Sequence, residues 1–260
     1  MAILPSNGPD GMVFDLDGVI TFTARVHAAA WKELFDSFLQ GRAQKLGEAF
    51  VPFDATSDYL QYVDGKPRYD GVASFLASRG IHIPFGHGDD PPDAETITAL
   101  GNRKDELFKK KVEEVGVDYD REAVRFVEEL RACDIRVGIA SSSKNAIPIL
   151  KKCGILEHFE FIVDGNLSEE RHLRGKPAPD IFLACLSELI SSPSPARAGI
   201  VEDAIAGVEA GRNGGFGLVL GVDRTGAPLG RNGANRVITD FRNISADQVI
   251  EFFADRAKVA

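Results

Sequence analysis

The sequence predicts an α/β fold, in which a Rossmann-like, doubly wound parallel sheet carries an inserted helical domain. Two patterns predict the sheet: a short apolar run, Met12–Phe14, leads into two acids, and helical patterns alternate with short apolar runs after Gly116. Between these regions lie about a hundred residues without strand signals. A helical domain inserted after the first strand accounts for all three observations.

The first predicted strand ends at two carboxylates. Asp15 and Asp17 follow the apolar run and flank one apolar residue, and Gly18 then allows a sharp turn. In open α/β sheets, ligands bind beyond the carboxyl ends of the strands. Two carboxylates this close repel each other unless a cation or a shared proton offsets them. A hard divalent cation such as Mg²⁺ prefers oxygen ligands, so this stretch is a candidate metal site.

The inserted segment is expected to be mostly helical. Apolar residues recur at helical spacing from Thr23 to about Leu39, and further helices are predicted over about 69–78 and 94–115. The glycines and prolines of residues 81–92 predict an irregular loop between those helices. The expected domains are an α/β core, residues 1–22 and 119–260, and a helical cap, residues 23–118. Residues 1–10 are interpreted as a lead-in to the first strand.

After Gly116, each short apolar run follows a helical pattern. The predicted strands are Ile135–Ala140, Phe159–Val163, Ala198–Val201, Phe216–Leu220 and Arg236–Thr239. The predicted helices are 121–133, 145–153, 178–190, 204–213 and one after the last strand. Alternation of this kind is typical of βαβ units and a parallel sheet.

Composition limits the classes of function. The chain has 260 residues, and its 44% hydrophobic content is enough for a sizeable core. A formal net charge of −9 disfavours general nucleic-acid binding, although a local basic pocket could still hold an anionic metabolite. No signal-peptide pattern occurs, and no apolar run approaches the ~20 residues that span a bilayer. We therefore expect a soluble cytoplasmic protein that acts on small molecules.

Polar groups follow the later strands as well. Hydroxyls in Ser141–Asn145 open a helix, where phosphate binds readily, although a single serine there is equally an ordinary N-cap. Lys176 precedes another helix; alone, it would be expected in solvent. Glu202 and Asp203 form a second acid pair, although Asp203 would also suit an N-cap. Together these groups predict a metal-assisted phosphoryl-transfer site with a spare carboxylate as nucleophile.

These motifs resemble those of the haloacid-dehalogenase superfamily of phosphotransferases. Its four motifs match in order, as Asp15-Leu-Asp17-Gly18, Ser141, Lys176 and Glu202-Asp203. Within the superfamily, the chain is similar to the β-phosphoglucomutase-like subfamily through a further set of residues. That set is Asp17–Thr21, Thr23, His27, Ala30-Trp31, Gly65, Arg68, Ser141–Asn145 and Gly175–Phe182.

The resemblance implies roles for the acidic residues. Asp15 would be the nucleophile that becomes an aspartyl phosphate. Asp17 would be the general acid and base for the leaving and attacking oxygens. Mg²⁺ would be held by Asp15, by the backbone carbonyl of Asp17 and by Asp203, with Glu202 beside it in the metal site.

The resemblance also implies substrate contacts. Ser141 and Lys176 would hold the transferring phosphoryl group, and Arg68 of the cap would hold the distal phosphate of the sugar. The remaining implied contacts are Ser143, Lys144 and Asn145 around the distal phosphate and sugar, and Thr23 and His27 at the cap hinge.

The implied activity is a Mg²⁺-dependent interconversion of β-D-glucose 1-phosphate and glucose 6-phosphate, with glucose 1,6-bisphosphate as activator and intermediate. A sugar-phosphate phosphatase on the same fold is an alternative, in which water accepts the phosphoryl group. A non-catalytic binding module with a relict site is a third, although the nucleophile and metal-binding acids are all present. The expected partner is a small-molecule sugar phosphate, without nucleic acid or membrane, and the expected assembly is a monomer or weak homo-oligomer.

Overall fold

The computed structural model describes residues 8–258, so the first seven residues of the predicted lead-in lie outside the described residues. The described chain divides into two compact units. The core unit contains the residues up to Phe22 and those from Asp118 onward, and the inserted unit is Thr23–Val117. No helix within residues 8–258 combines the length and apolar character needed to cross a membrane.

The core unit is built on a six-stranded parallel sheet. In chain order its strands are β1 (Gly11–Phe14), β2 (Arg136–Ala140), β3 (Phe161–Val163), β4 (Ala198–Glu202), β5 (Leu218–Val222) and β6 (Arg236–Ile238). Their spatial order is β3-β2-β1-β4-β5-β6, so the chain winds outward on both sides of β1. The predicted doubly wound parallel sheet is confirmed.

The register of the central strands determines which residues meet at the carboxyl edge. Phe14, the last residue of β1, pairs with Ile139 of β2 and with Val201 of β4. The N–H of Asp15 donates to the carbonyl of Val201 at 2.9 Å, which extends this alignment by one residue. Residues that follow β1, β2 and β4 therefore emerge side by side at one edge of the sheet.

The inserted unit is helical. Its helices are α1 (Ala24–Leu46), α2 (Arg68–Ser78) and α3 (Ile97–Val115), with a π-helical turn at Tyr59–Val63. Helix α1 continues past its predicted end because the mostly exposed residues after Leu39 include good helix formers, and it ends at Gly47 with a left-handed φ of 69°. Helix α3 begins later than predicted because the hydroxyl of Thr96 caps it, accepting from the N–H of Ala99.

Aromatic side chains form an apolar core inside the inserted unit. The ring of Phe35 on α1 lies 5.2 Å from that of Phe53 and 4.2 Å from that of Phe75, measured between centroids. All three side chains are buried. The inserted unit thus has a hydrophobic core of its own, as an independent domain requires.

The remaining helices belong to the core unit. They are α4 (Arg121–Ala132), α5 (Ala146–Cys153), α6 (Gly165–Glu170), α7 (Asp180–Leu189), α8 (Ile205–Asn213), α9 (Leu229–Asn232) and α10 (Ala246–Ala257). Helix α7 packs on β1, β2 and β3, whereas α8 packs on β4 and β5. The predicted elements of this half are therefore present, and α6 and α9 are additional because such short helices show little periodicity.

Candidate active site

A buried ion cluster lies at the carboxyl edge of the sheet. Nζ of Lys176 lies 2.5 Å from Oδ1 of Asp15 and 2.5 Å from Oε1 of Glu202. The exposed fractions of the three residues are 3%, 6% and 0%, respectively. Asp15 follows β1, Glu202 ends β4, and Lys176 lies in the loop before α7. The fold therefore brings together three residues that are far apart in the sequence.

The charges of this cluster depend on one another. Burial raises the pKa of Asp15 above its usual range, with help from the carboxylates of Glu202 and Asp17 and against the ammonium of Lys176. Burial lowers the pKa of Lys176, but the two neighbouring carboxylates outweigh this effect and raise it above its usual range. Lys176 thus remains an ammonium at neutral pH and places a fixed positive charge beside Asp15.

Both carboxylate oxygens of Glu202 are bonded within the protein. Oε1 accepts from Lys176, and Oε2 accepts from the N–H of Ala204 at 2.7 Å. Gly207 of α8 lies directly behind this carboxylate, since a Cβ at that position would approach Oε1 to 1.7 Å. These contacts hold Glu202 against Lys176 and Ala204, and its place in the metal site stays a prediction.

Asp17 and Ser141 lie together at the same edge. The Ser141 hydroxyl donates to Oδ2 of Asp17 at 3.4 Å and accepts from the N–H of Ser143 at 3.1 Å. Ser141 is buried and directly follows β2. The N-cap residue of α5 is Asn145, so Ser141 does not serve as the helix cap that its sequence context allowed. The fold thus brings a hydroxyl from one strand end to a carboxylate from another.

Asp203 lies against the turn that follows Asp17. Gly18 forms this turn with a φ of 91°, in the left-handed region that favours glycine. A Cβ at Gly18 would approach Oδ2 of Asp203 to 1.8 Å, so the two residues are in direct contact. The N-cap residue of α8 is Ala204, which leaves the capping interpretation of Asp203 without support.

The oxygen donors at this edge suit a magnesium ion. No three His, Cys, Asp or Glu side chains are grouped as metal ligands in the described part of the chain. Mg²⁺ does not need such a group, because it usually keeps several waters and binds one or two carboxylates together with substrate phosphate. The carboxylates at the ends of β1 and β4, with the nearby backbone carbonyls, are donors of that kind.

The serine-rich segment after β2 contains the residues implied to line the distal phosphate. Oγ of Ser143 accepts from the N–H of Asn145 at 3.2 Å. Nζ of Lys144 lies 2.5 Å from Oε2 of Glu169. The segment is therefore held by its own turn, and the lysine has a carboxylate partner.

Arg68 begins α2 in the inserted unit. Its Nη1 lies 3.2 Å from Oδ1 of Asp105 on α3, and its guanidinium lies 5.3 Å from the ring centroid of Tyr69. The side chains of Arg68 and Asp105 are 16% and 18% exposed, so their pair is largely removed from water. Asp105 and the ring of Tyr69 thus support the position of this guanidinium.

The first turns of α1 contain Thr23 and His27. Thr23 is buried and is the N-cap residue of α1. Nδ1 of His27 lies 2.6 Å from Nζ of Lys104 on α3, and its ring stacks on Phe108 at 3.9 Å. The sequence analysis missed Lys104, which is only 5% exposed. Its position midway between the buried Leu100 and Phe108, at helical spacing, is the signal that could have revealed it.

The chain matches a known family over most of its length. A model of the family described as haloacid dehalogenase-like hydrolase matches residues 9–215. The chain belongs to this family. A protein named β-phosphoglucomutase from Mycobacterium bovis is 46% identical over 237 residues, which cover 89% of this chain and 90% of that protein. Another of that name, from Bacillus subtilis, is 30% identical over 229 residues, which cover 88% and 90%.

A solved structure has the same fold. The crystal structure of a β-phosphoglucomutase from Clostridium difficile matches with a TM-score of 0.75 and 25% identity, covering 97% of this chain and 100% of that chain. The resemblance inferred from the motifs, to the superfamily and to its β-phosphoglucomutase-like members, is therefore confirmed.

Proposed function

We propose that this haloacid dehalogenase-like protein is a Mg²⁺-dependent β-phosphoglucomutase. The observation that supports it most directly is the 2.5 Å contact between Lys176 and Asp15, beside Asp17 at the carboxyl edge of the sheet. Phosphoryl transfer through an aspartyl phosphate needs such a carboxylate nucleophile, a fixed cation and a second carboxylate. The 46% identity to the Mycobacterium bovis β-phosphoglucomutase supports a sugar phosphate as substrate.

The proposed reaction moves one phosphoryl group between two ends of a sugar. Phosphorylated Asp15 transfers its phosphoryl group to the 6-hydroxyl of β-D-glucose 1-phosphate, which gives glucose 1,6-bisphosphate. Asp15 then attacks the 1-phosphoryl group of the bisphosphate, the bond to the sugar oxygen breaks, and glucose 6-phosphate leaves. Asp17 takes the proton of the attacking hydroxyl in the first step and protonates the leaving oxygen in the second.

The surrounding charges make these transfers possible. Lys176 offsets the repulsion between the anionic carboxylate and the phosphoryl oxygens, and Ser141 is near enough to the same edge to bond one of them. Asp15, the carbonyl of Asp17 and Asp203 would hold Mg²⁺, which when bound neutralises charge on the phosphoryl oxygens. Glu202 fixes the position of Lys176.

A mutase also needs a second phosphate grip, since its bisphosphate intermediate is charged at both ends. We assign this role to Arg68 of the inserted unit, together with Ser143, Lys144 and Asn145 of the core unit. Residues 23–118 would act as a cap that closes over the bound sugar, with Thr23 and His27 at its hinge. Exclusion of water by such a cap favours transfer to the sugar over hydrolysis of the phosphoenzyme.

A sugar-phosphate phosphatase is the second candidate function. The matching family is described as a hydrolase, and the same residues would serve if water accepted the phosphoryl group from Asp15. The second phosphate grip is the feature that favours the mutase, because a monophosphate phosphatase has no need of it.

Phosphorus NMR separates these functions in one tube. The enzyme is incubated with β-D-glucose 1-phosphate, MgCl₂ and a trace of β-glucose 1,6-bisphosphate, with the Asp15→Asn variant as control. Formation of glucose 6-phosphate by the wild type alone is the expected result. Release of inorganic phosphate instead would identify a phosphatase, and an unchanged spectrum would contradict both activities.

A further inference from the structure

One arginine of the core unit bonds both chain segments that lead to the inserted unit. Arg224 follows β5, and its Nε donates to the carbonyl of Gly18 at 2.6 Å. Its Nη2 donates to the carbonyl of Val19 at 3.2 Å and to Oδ2 of Asp120 at 2.6 Å. Gly18 and Val19 belong to the segment that leaves the core unit after Phe22, and Asp120 belongs to the segment that returns.

The leaving and returning segments are also bonded to each other. The N–H of Phe22 donates to the carbonyl of Asp118 at 3.0 Å, and the N–H of Asp120 donates to the carbonyl of Ile20 at 2.8 Å. The guanidinium of Arg224 lies 5.0 Å from the ring centroid of Phe22, the last residue of the leaving segment. Arg224 therefore reinforces a short two-stranded connection from the side.

The contacts of Arg224 are of the strong kind. The side chains of Arg224 and Asp120 are 22% and 13% exposed, so the pair is largely removed from water, and hydrogen bonds from a charged donor exceed neutral ones in strength. Asp120 is itself fixed, because its Oδ1 caps α4 by accepting from the N–H groups of Glu122 and Ala123. The rigid fork of the guanidinium presents Nε and Nη2 to these three acceptors in a fixed geometry, which the compact ammonium of a lysine does not reproduce.

We propose that Arg224 is a positioning residue that clamps both connections to the inserted unit and fixes the turn carrying Asp17. The carbonyls that it binds belong to the two residues directly after Asp17, so the guanidinium limits movement of the general acid and base. By pinning both connections, it also fixes where the chain enters and leaves the inserted unit. The kinetic part of this inference rests on the proposed mutase function.

The test compares Arg224→Met with the same substitution at an arginine that lies at the amino ends of the strands. Arg197 makes the same kinds of contact, because it donates to the carboxylate of Asp10 at 2.7 and 3.0 Å and to the carbonyl of Gly8 at 2.9 Å. For each variant, the ratio of inorganic phosphate to glucose 6-phosphate is measured in one reaction. This ratio does not depend on the fraction of folded enzyme. We expect this ratio to rise about tenfold in Arg224→Met, because each lost hydrogen bond from a charged donor is worth about a factor of ten or more in an equilibrium. We expect no rise in the ratio for Arg197→Met.

Other variants and a second measurement complete the test. Arg224→Lys should also raise the ratio; a wild-type ratio for that variant, or for Arg224→Met, would overturn the clamp. An equal rise for Arg197→Met would overturn it too.

Hydrogen exchange without substrate tests the clamp independently of the reaction. Amides in segments 16–22 and 118–121 should exchange faster in Arg224→Met than in the wild type or Arg197→Met, and unchanged exchange there would contradict the clamp. A wild type that releases only phosphate would contradict the mutase proposal, and the exchange result would then decide the clamp alone.

Discussion

Three buried ionisable side chains, one lysine and two acids, determine the electrostatics at the carboxyl edge of the sheet. Lys176 lies between Asp15 and Glu202, and none of the three has appreciable access to water. Removal of one partner from such a group leaves a buried charge without compensation, which costs more free energy than the intact group contributes. The stability of the core unit therefore depends on this ammonium, and under the proposed function phosphate binding would depend on it too.

Replacing this ammonium should destabilise the protein. We expect Lys176→Met to lower the free energy of unfolding by about 3–5 kcal/mol at pH 7, measured by urea denaturation. The control is Arg171→Met, which removes an ion pair with Glu188 whose side chains are 40% and 35% exposed. That exposed pair should contribute less than about 1 kcal/mol. Similar losses for both variants would contradict the importance of the buried cluster.

The two acids after β1 should respond differently to substitution. Asp15→Asn should prevent phosphoenzyme formation, measured by intact mass after incubation with glucose 1,6-bisphosphate, because no nucleophile remains. Asp17→Asn should keep its Mg²⁺ affinity in calorimetric titration, since only its backbone carbonyl is assigned to the metal. Its turnover should fall by ~100-fold or more. Equal loss of Mg²⁺ affinity in the two variants would count against these roles.

The sequence was informative about residues whose neighbours form a pattern. Asp15 and Glu202 were predictable because each ends an apolar run. The contact between Glu202 and Lys176 could not be predicted. In an acid pair such as Glu202-Asp203, either residue could bind the metal while the other holds the lysine. Arg224 was missed because its partners at the turn are backbone carbonyls, which leave no trace in composition or periodicity.

At the scale of elements, the turn after β1 limits what residue 18 can be. Gly18→Ala would add a Cβ that overlaps the Asp203 carboxylate, on top of the left-handed backbone. The control is Gly47→Ala, at φ 69° with no atom within 4 Å of an added Cβ. The control should lose about 1–2 kcal/mol of stability from backbone strain alone.

Gly18→Ala should lose more stability than the control and should also weaken Mg²⁺ binding by at least about tenfold, because displacing the carboxylate removes an assigned ligand. Urea denaturation and Mg²⁺ titration measure both effects. Unchanged Mg²⁺ affinity would contradict the assignment of Asp203.

The ends of elements were harder to predict than their existence. Strand β5 begins at Leu218 and not at the predicted Phe216. The N–H of Phe216 donates to the carbonyl of Gly211, so Phe216 still belongs to the turn before the strand. Helix α1 extends beyond Leu39 because the mostly exposed residues of its last turns include good helix formers. Local hydrogen bonds, invisible to periodicity, thus decide where elements stop.

For the whole molecule, ligand binding at the core unit should be visible as increased stability. Mg²⁺ with beryllium or aluminium fluoride mimics a phosphorylated or transferring carboxylate, and it should bind only the native state. At a hundredfold excess over Kd it adds about 2.7 kcal/mol, or roughly 5–10 °C in the thermal midpoint of a chain this size. Asp15→Asn with the same additives is the control and should show little shift. An unchanged wild-type midpoint would favour the non-catalytic module.

The central position of β1 has a consequence for biosynthesis. This strand leaves the ribosome before the other strands of the sheet, yet Gly11 pairs with Arg136 and Ala198, which are translated more than a hundred residues later. Meanwhile the inserted unit, with its aromatic interior, can collapse as soon as it emerges. The nascent chain must therefore keep the unpaired, apolar β1 from aggregating until β2 and β4 have been synthesised. Pairings so distant in sequence also slow folding.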